Sequence, residues 1–160
     1  MEYTLYKISC LDLNIDFIYI GSTQNFTRRK NEHKNVCRNI NSKKYNLKIY
    51  ETIRANGDWI NWEMKPIEKI TCNKTEACIR ENFHMMEYKA TLNLRRAPTG
   101  LTAKEYEQAF RKVYIINNKD IIYAKKKEIK ICICGCEYTL SNYAKHCKTK
   151  KHLKLIELQV

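Results

Sequence analysis

The sequence lacks any apolar run of the roughly 18 residues that a membrane-spanning helix needs. It also lacks an N-terminal segment in which charged residues precede an apolar stretch, which is the pattern of an export signal. No long internal repeat is present. These absences disfavour a membrane protein and an exported protein. We therefore expect an intracellular protein, in the cytoplasm or nucleus, with no membrane partner.

Acidic residues are also few. The chain has 17 Asp and Glu against 30 Lys and Arg, and its formal net charge at pH 7 is +13. An excess of this size favours a polyanionic partner, with DNA or RNA as the first candidate and an anionic membrane surface as the second. The 160 residues, 44% of them hydrophobic, are enough for one folded domain, or for a small domain with an added module.

The eight cysteines differ in their distribution along the chain. An intracellular protein seldom relies on disulfides, so we interpret the cysteines by their positions. Scattered cysteines are typical of small buried apolar side chains. A tight group beside histidines indicates a metal site. The scattered ones are Cys10, Cys37, Cys72 and Cys78, and the grouped ones are Cys132, Cys134, Cys136 and Cys147.

The grouped cysteines and two histidines have the spacing C-x-C-x11-H-x5-H. The predicted Zn²⁺ ligands are Cys132, Cys134, His146 and His152, with Cys136 and Cys147 as alternatives. Two thiolates on a turn and two imidazoles on a following helix satisfy tetrahedral zinc. Gly135 stands where the backbone must turn tightly. The segment resembles a C2H2-type zinc finger of a short form that begins C-x-C-G-x-x-Y.

The first part of the chain alternates strand and helix patterns. The predicted strands are 3–9, 16–21 and 59–70, and the predicted helices are 22–35, 45–57 and 74–90. Asn25 is the expected N-cap of the first helix. Pro66 favours an edge strand or a bulge, and Trp59 and Trp62 are expected to anchor the core near it. The fold class is therefore α+β, a small, mostly antiparallel three-stranded sheet flanked by helices.

A boundary is predicted near residues 95–100, where Pro98 and Gly100 interrupt the pattern. We predict three parts. Residues 1–96 form the α+β domain, 97–129 a basic helical linker, and 130–160 a ββα zinc finger.

The first part resembles the GIY-YIG nucleases over residues 3–94. "YIG" is intact at 19–21, and "TLY" at 4–6 stands where the family has "GIY". The family's other positions fall, in order, on Arg29 (with Arg28 as a register alternative), His33, Glu81 (with Glu87 as a lesser competitor) and Asn93. With the finger, the chain is most similar to homing-type members from mobile elements and large DNA viruses, which adds a viral factory to the expected compartments.

The resemblance implies a catalytic role for each of five residues. Glu81 would hold one Mg²⁺ or Mn²⁺ ion, a hard cation that prefers oxygen ligands. Arg29 would stabilise negative charge on the phosphoryl oxygens. Tyr6 would take the proton from the attacking water, and Tyr19 would orient the water or the phosphate. His33 would relay the proton or contact phosphate. The expected products carry 5′-phosphate and 3′-hydroxyl ends.

A phenol is a poor base at neutral pH because its reference pKa is about 10. Bringing that pKa to about 7 requires roughly 4 kcal/mol of preferential stabilisation of the phenolate. We expect Arg29 and the metal ion to supply it.

These inferences predict a metal-dependent DNA endonuclease that acts on duplex DNA as a monomer or as a transient dimer. The zinc finger and the basic linker would anchor it on DNA. Two alternatives stay open at this point. One is a catalytically inactive nucleic-acid-binding protein with the same scaffold, and the other is an RNA-directed protein, since positive charge attracts both nucleic acids.

Overall fold

Strand β1 (Glu2–Cys10) lies at the centre of a three-stranded antiparallel sheet. β2 (Ile18–Thr23) pairs with one side of it and β3 (Trp62–Thr71) with the other, so the strand order is β2-β1-β3. Most residues of β1 are buried. This sheet and the helices around it confirm the predicted α+β fold class.

The structure is a computed structural model that describes residues 1–158. The chain divides into two units, Met1–Val113 and Tyr114–Val160. Among the described residues, no helix has both the length and the apolar character that crossing a bilayer requires. The domain boundaries after residues 96 and 129 stay predictions.

A β-bulge in β3 lies opposite Tyr6. Leu5 pairs with Glu68 and Tyr6 with Pro66, so Ile67 is the extra residue. Proline has no N–H to donate to a strand ladder and is tolerated at sheet edges and bulges. Both features expected from Pro66 are present, because β3 is an edge strand and its register shifts at this point.

Three helices of the first unit follow the sheet strands along the chain: α1 (Phe26–Arg38) and α2 (Lys48–Ala55) after β2, and α3 (Lys74–Glu87) after β3. The predicted N-cap of α1 is confirmed, since the Asn25 side chain accepts a hydrogen bond from the Arg28 backbone N–H at 2.9 Å. Such a cap satisfies one of the free N–H groups at a helix start. The cap therefore fixes the residue at which α1 begins after β2.

The core of the first unit is built from β1, α1, α2 and β3. Trp59 and Trp62 are both buried within it, which confirms them as core residues. The Trp59 ring stacks on the His33 ring, with 6.3 Å between centroids. Tyr6 and Tyr50 belong to the same core cluster. The predicted site residues are therefore held by packed elements.

The second unit contains a short hairpin followed by short helices. The division between the units falls within α4 (Ala103–Asn117). The other elements of the second unit are α5 (Lys119–Lys127), β4 (Ile129–Ile131), β5 (Glu137–Thr139), α6 (Tyr143–His146) and α7 (Lys150–Glu157). β4 and β5 pair antiparallel. Helices α4 and α5 occupy most of the stretch predicted to be a helical linker.

The helical part of the second unit differs from the sequence-based expectation. A single helix was expected to carry both histidines, but His146 ends α6 and His152 lies in α7. Thr149 explains the break, because its hydroxyl accepts a hydrogen bond from the His152 backbone N–H and so caps a new helix.

Candidate functional site

A cleft of about 320 Å³ opens on the first unit. Four of the residues predicted to be catalytic line it: Tyr19 from β2, Arg29 and His33 from α1, and Glu81 from α3. Tyr6 does not line this cleft but touches two of those residues by hydrogen bonds. The structure thus brings all five predicted residues together, although they come from four elements spread over most of the first unit.

Tyr6 sits on β1 directly opposite Gly21 of β2. A Cβ atom at Gly21 would lie 2.4 Å from Tyr6 Oη and 2.5 Å from Tyr6 Cζ, well inside van der Waals contact. The phenol ring therefore lies across the space that a side chain at Gly21 would fill. The glycine of "YIG" has a steric purpose here, namely to leave room for the tyrosine of the neighbouring strand.

Replacing Gly21 with alanine is expected to destabilise the protein by about 1–3 kcal/mol, because the added methyl group overpacks the Tyr6 ring. Urea unfolding measures the change. In a Tyr6→Ala background the same substitution should cost almost nothing, since the clashing ring is gone. If the two substitutions were additive, the close approach of Tyr6 to Gly21 would not be the cause.

Tyr6 is the centre of a hydrogen-bond network. Arg29 Nε donates to Tyr6 Oη at 3.1 Å, and Tyr6 Oη lies 2.9 Å from His33 Nε2. The other ring nitrogen of His33, Nδ1, lies 3.0 Å from Tyr50 Oη. The Tyr6 and Tyr19 rings are 6.4 Å apart, centroid to centroid. The phenols of Tyr6 and Tyr50, the imidazole of His33 and the guanidinium of Arg29 therefore form one hydrogen-bonded group.

The protonation states in this network are set mainly by burial. Burial raises the pKa of Tyr6 well above its ordinary value, and the adjacent Tyr19 raises it further, while Arg29 lowers it. Arg29 therefore lies where it can stabilise a Tyr6 phenolate, but it lowers the pKa of Tyr6 by less than burial raises it. Burial, followed by the charge of Arg29, lowers the pKa of His33 to about 3. At neutral pH the phenol is protonated and the imidazole is neutral.

Glu81 faces the cleft from α3. Its Oε2 accepts a hydrogen bond from Ser22 Oγ at 2.6 Å, and burial raises the pKa of the carboxyl. The hydrogen bonds from Ser22 and the charge of Arg29 lower that pKa, but by less than burial raises it. A desolvated carboxylate is costly. A divalent cation would offset that cost, so the donor chemistry of this position fits a hard metal ion.

Two of the predicted residues, Arg29 and Glu81, had alternatives in the sequence, and in each pair only one residue lines the cleft. Arg28, with 73% of its side chain exposed, points away and pairs with Glu32 at 3.6 Å. Glu87 binds His84 Nδ1 at 2.9 Å and does not line the cleft. Arg29 and Glu81 are the members of the two pairs that lie in the cleft.

Asn93 braces β2 through its amide group. Its Oδ1 accepts from the Ile20 N–H and its Nδ2 donates to the Ile20 carbonyl, both at 2.8 Å. The amide therefore satisfies both backbone groups of Ile20 at the outer edge of the sheet. Since Ile20 lies between Tyr19 and Gly21, this bracing holds the "YIG" segment in place.

Several residues of the site had not been predicted from the sequence. Ser22 and Tyr50 bind two of the predicted residues directly. The cleft is also lined by four cations, Lys44, Lys48, Arg95 and Arg96. Ser22 follows the "YIG" motif immediately, which was an available signal. Tyr50 gave no signal, because it matched the apolar periodicity of α2.

A second cluster lies in the second unit. The ligand atoms of Cys132, Cys134, His146 and His152 all lie within 4.8 Å of one another. Cys132 Sγ is 3.6 Å from His152 Nδ1, Cys134 Sγ is 3.4 Å from His146 Nε2, and the two imidazole nitrogens are 3.2 Å apart. A tetrahedral zinc ion, with bonds of about 2.3 Å to sulfur and 2.0 Å to nitrogen, places a sulfur and a nitrogen about 3.5 Å apart and two nitrogens about 3.3 Å apart. These three distances are compatible with that ion.

The turn that presents the cysteines has the form expected from Gly135. This residue has a φ of 77°, and its N–H donates to the Cys132 carbonyl at 2.8 Å. Glycine adopts such a conformation without steric cost. Among the described residues, Cys136 and Cys147 are not part of the four-ligand group.

Comparison with known proteins places the first part of the chain in a class. A family model described as the GIY-YIG catalytic domain matches residues 2–94, more than half of the chain. The chain belongs to the GIY-YIG family. It is therefore a nuclease, a phosphodiester hydrolase whose substrate is nucleic acid, and such a domain implies a divalent metal ion. No curated protein and no solved structure gives a match.

The family's first glycine is replaced here by Thr4. This residue is paired with Thr23 on β2 and with Lys69 on β3. Threonine is favourable in a strand, and β1 continues through it without interruption. The departure from "GIY" therefore leaves the strand that carries Tyr6 intact.

Proposed function

We propose that the protein is a metal-dependent DNA endonuclease of the homing type. Its N-terminal cleft would hydrolyse one phosphodiester bond, and its C-terminal unit would bind zinc and anchor the enzyme on duplex DNA. The observation that most supports this is the convergence of the predicted catalytic residues at one cleft. These are Tyr6, Tyr19, Arg29, His33 and Glu81.

Glu81 would bind the catalytic Mg²⁺ or Mn²⁺ ion. The bound ion would act as a Lewis acid at the scissile phosphate. Ser22 supports this assignment, because its hydroxyl fixes one carboxylate oxygen at 2.6 Å. One protein ligand is enough for an ion that keeps most of its waters.

Tyr6 would be the base that takes the proton of the attacking water. Because burial keeps its phenol protonated, Tyr6 must first lose its own proton. Arg29 favours that loss, since its Nε–H already donates to Tyr6 Oη and would stabilise the phenolate. The remaining guanidinium N–H groups suit a phosphoryl oxygen.

Tyr19 and His33 would have different roles beside Tyr6. Tyr19 lines the cleft and would orient the water or the phosphate. His33 is only 1% exposed and both of its ring nitrogens are within 3.0 Å of phenol oxygens. Because both ring nitrogens already face phenol oxygens, we favour proton relay over contact with phosphate.

The charges around the cleft suit a nucleic-acid backbone. Four cationic residues line the same cleft as the catalytic residues, namely Lys44, Lys48, Arg95 and Arg96, and all four are exposed. Cations at a cleft neutralise neighbouring phosphates and position the scissile one. One cleft in each chain implies nicking, sequential cuts, or a transient dimer that cuts both strands.

The four-ligand cluster would bind Zn²⁺. Its cysteines and His152 are buried in a unit that has little other core, and a small unit of this kind benefits from a metal. Lysines are dense around the two helices that carry the histidines, which suits phosphate contact. They are Lys145, Lys148, Lys150, Lys151 and Lys154.

The test is cleavage of supercoiled plasmid by the purified protein, with Mg²⁺ and with EDTA. We expect nicked or linear products with Mg²⁺ only. Tyr6→Phe should reduce the rate by about 10²–10⁴-fold, the range for loss of a general base. Tyr3→Phe is the matched control, since Tyr3 lies on the same strand and binds Gln24 outside the cleft.

Equal cleavage by the wild type, Tyr6→Phe and Tyr3→Phe would contradict the assignment of Tyr6. Duplex DNA and duplex RNA of equal length should be compared at one stated salt concentration, because charge alone attracts both. Preferential cleavage of RNA would replace DNA as the proposed substrate.

A further inference from the structure

Tyr50 extends the hydrogen-bond network beyond the residues of the family motif. It lies on α2, and its Oη is 3.0 Å from His33 Nδ1, on the opposite side of the imidazole from Tyr6. Both Tyr50 and His33 are buried, at 4% and 1% exposure, yet both line the cleft. A chain of hydrogen bonds therefore runs from Tyr6 through His33 to Tyr50.

The donors and acceptors in this chain indicate its direction. Arg29 Nε–H is only a donor, so Tyr6 Oη accepts from it. We assign the O–H of Tyr6 to His33 Nε2, which lies 2.9 Å away. A neutral imidazole has one N–H, which must then be on Nδ1. With this tautomer, the Nδ1–H donates to Tyr50 Oη, which lies 3.0 Å away. The O–H of Tyr50 is left to donate toward the cleft.

We propose that Tyr50 is a positioning residue for the reaction. It would hold His33 as the Nδ1–H tautomer and accept the Nδ1 proton at the moment when His33 Nε2 receives the proton of Tyr6. This inference rests on the proposed role of Tyr6 as the base.

The proton movements balance. The Tyr6 O–H proton moves to His33 Nε2, the Nδ1 proton moves to Tyr50 Oη, and the Tyr50 O–H proton moves to a water in the cleft. Three O–H or N–H bonds break and three form within the protein and the receiving water. Tyr6 is left as the phenolate, and His33 is again neutral with its proton on the other nitrogen. The phenolate then takes a proton from the attacking water.

The environment of His33 favours a transfer of this kind. Burial first, and then the charges of Arg29 and Lys44, lower the pKa of the imidazole to about 3. An imidazolium at this position is therefore unfavourable at neutral pH. If His33 gives up a proton at Nδ1 as it gains one at Nε2, it never carries the charge. Without the hydroxyl of Tyr50, the phenol oxygen that would accept the Nδ1 proton is missing.

Two measurements test the inference. The first is the ¹⁵N spectrum of the histidine side chains in the full-length protein, with His33 assigned by its loss in His33→Gln. The wild type should show a neutral Nδ1–H imidazole at pH 7. In Tyr50→Phe, the protonated nitrogen should change to Nε2, wholly or in part. The second is the rate of plasmid cleavage, where Tyr50→Phe should lower kcat by about 10²-fold with KM unchanged.

Tyr45→Phe is the matched control. Tyr45 is a nearby tyrosine that stacks against the Arg54 guanidinium and makes no bond to His33. It should keep both the tautomer and the rate of the wild type. An Nε2–H tautomer in the wild type would overturn the proposal, and so would a folded Tyr50→Phe with the tautomer and kcat of the control. A wild type that cleaves nothing would contradict the proposed function instead, and the tautomer signals would still decide whether Tyr50 positions His33.

Discussion

Glu81→Gln is expected to reduce Mg²⁺-dependent cleavage by about 10³-fold or more. The amide keeps the size of the carboxylate but loses its negative charge, and with it the binding of the metal ion. A bound metal ion supplies several kcal/mol of transition-state stabilisation, and a loss of about 4 kcal/mol corresponds to about 10³ in rate. Affinity for DNA should change little, because the cations at the cleft are untouched.

The control for this variant is Glu87→Gln. Glu87 lies on the same helix, binds His84 and does not line the cleft, so its loss should leave cleavage within a few-fold of the wild type. Rates are compared over a series of Mg²⁺ concentrations, with binding to the same DNA measured in Ca²⁺. If Glu81→Gln cleaved at the wild-type rate at every Mg²⁺ concentration, another group would have to hold the metal.

Removal of zinc is expected to unfold the second unit and to leave the first unit folded. Structural zinc in small finger peptides contributes apparent free energies of about 10–16 kcal/mol, so a unit built around such an ion does not survive its loss. Cys132→Ser should abolish binding of one zinc ion per chain and weaken DNA binding. Metal analysis, together with the NMR spectrum of each unit, measures both effects.

Cys136→Ser is the matched control for zinc binding. Cys136 lies in the same turn, but its thiol is outside the group of four ligands. This variant should keep one zinc ion and the spectrum of the folded unit. Full zinc content in Cys132→Ser, or a second unit that stays folded after a zinc-selective chelator, would contradict the assignment.

The sheet and the positions of the main site residues could be predicted from the sequence. The strands, the N-cap at Asn25 and the edge strand or bulge at Pro66 all depend on local sequence, and the structure confirms each of them. The order and spacing of Arg29 and Glu81 along the chain identified residues that the fold brings to one cleft. In both cases the prediction depended only on short segments of sequence or on a motif.

The hydrogen-bond network and its protonation could not be predicted in the same way. Ser22 and Tyr50 act through partners that are distant in sequence, so their roles depend on tertiary contacts. The pKa of Tyr6 depends on how deeply the phenol is buried, which composition does not reveal. The break between α6 and α7 differs from the single helix that was expected to carry both histidines, because Thr149 caps a new helix before His152.

The close approach of Tyr6 to Gly21 has a consequence for how the gene tolerates mutation. The two positions form one epistatic unit, because a larger residue at 21 is compatible only with a smaller residue at 6, and a smaller residue at 6 removes the proposed base. A change at Gly21 would therefore act on the site through Tyr6, although glycine takes no part in the chemistry.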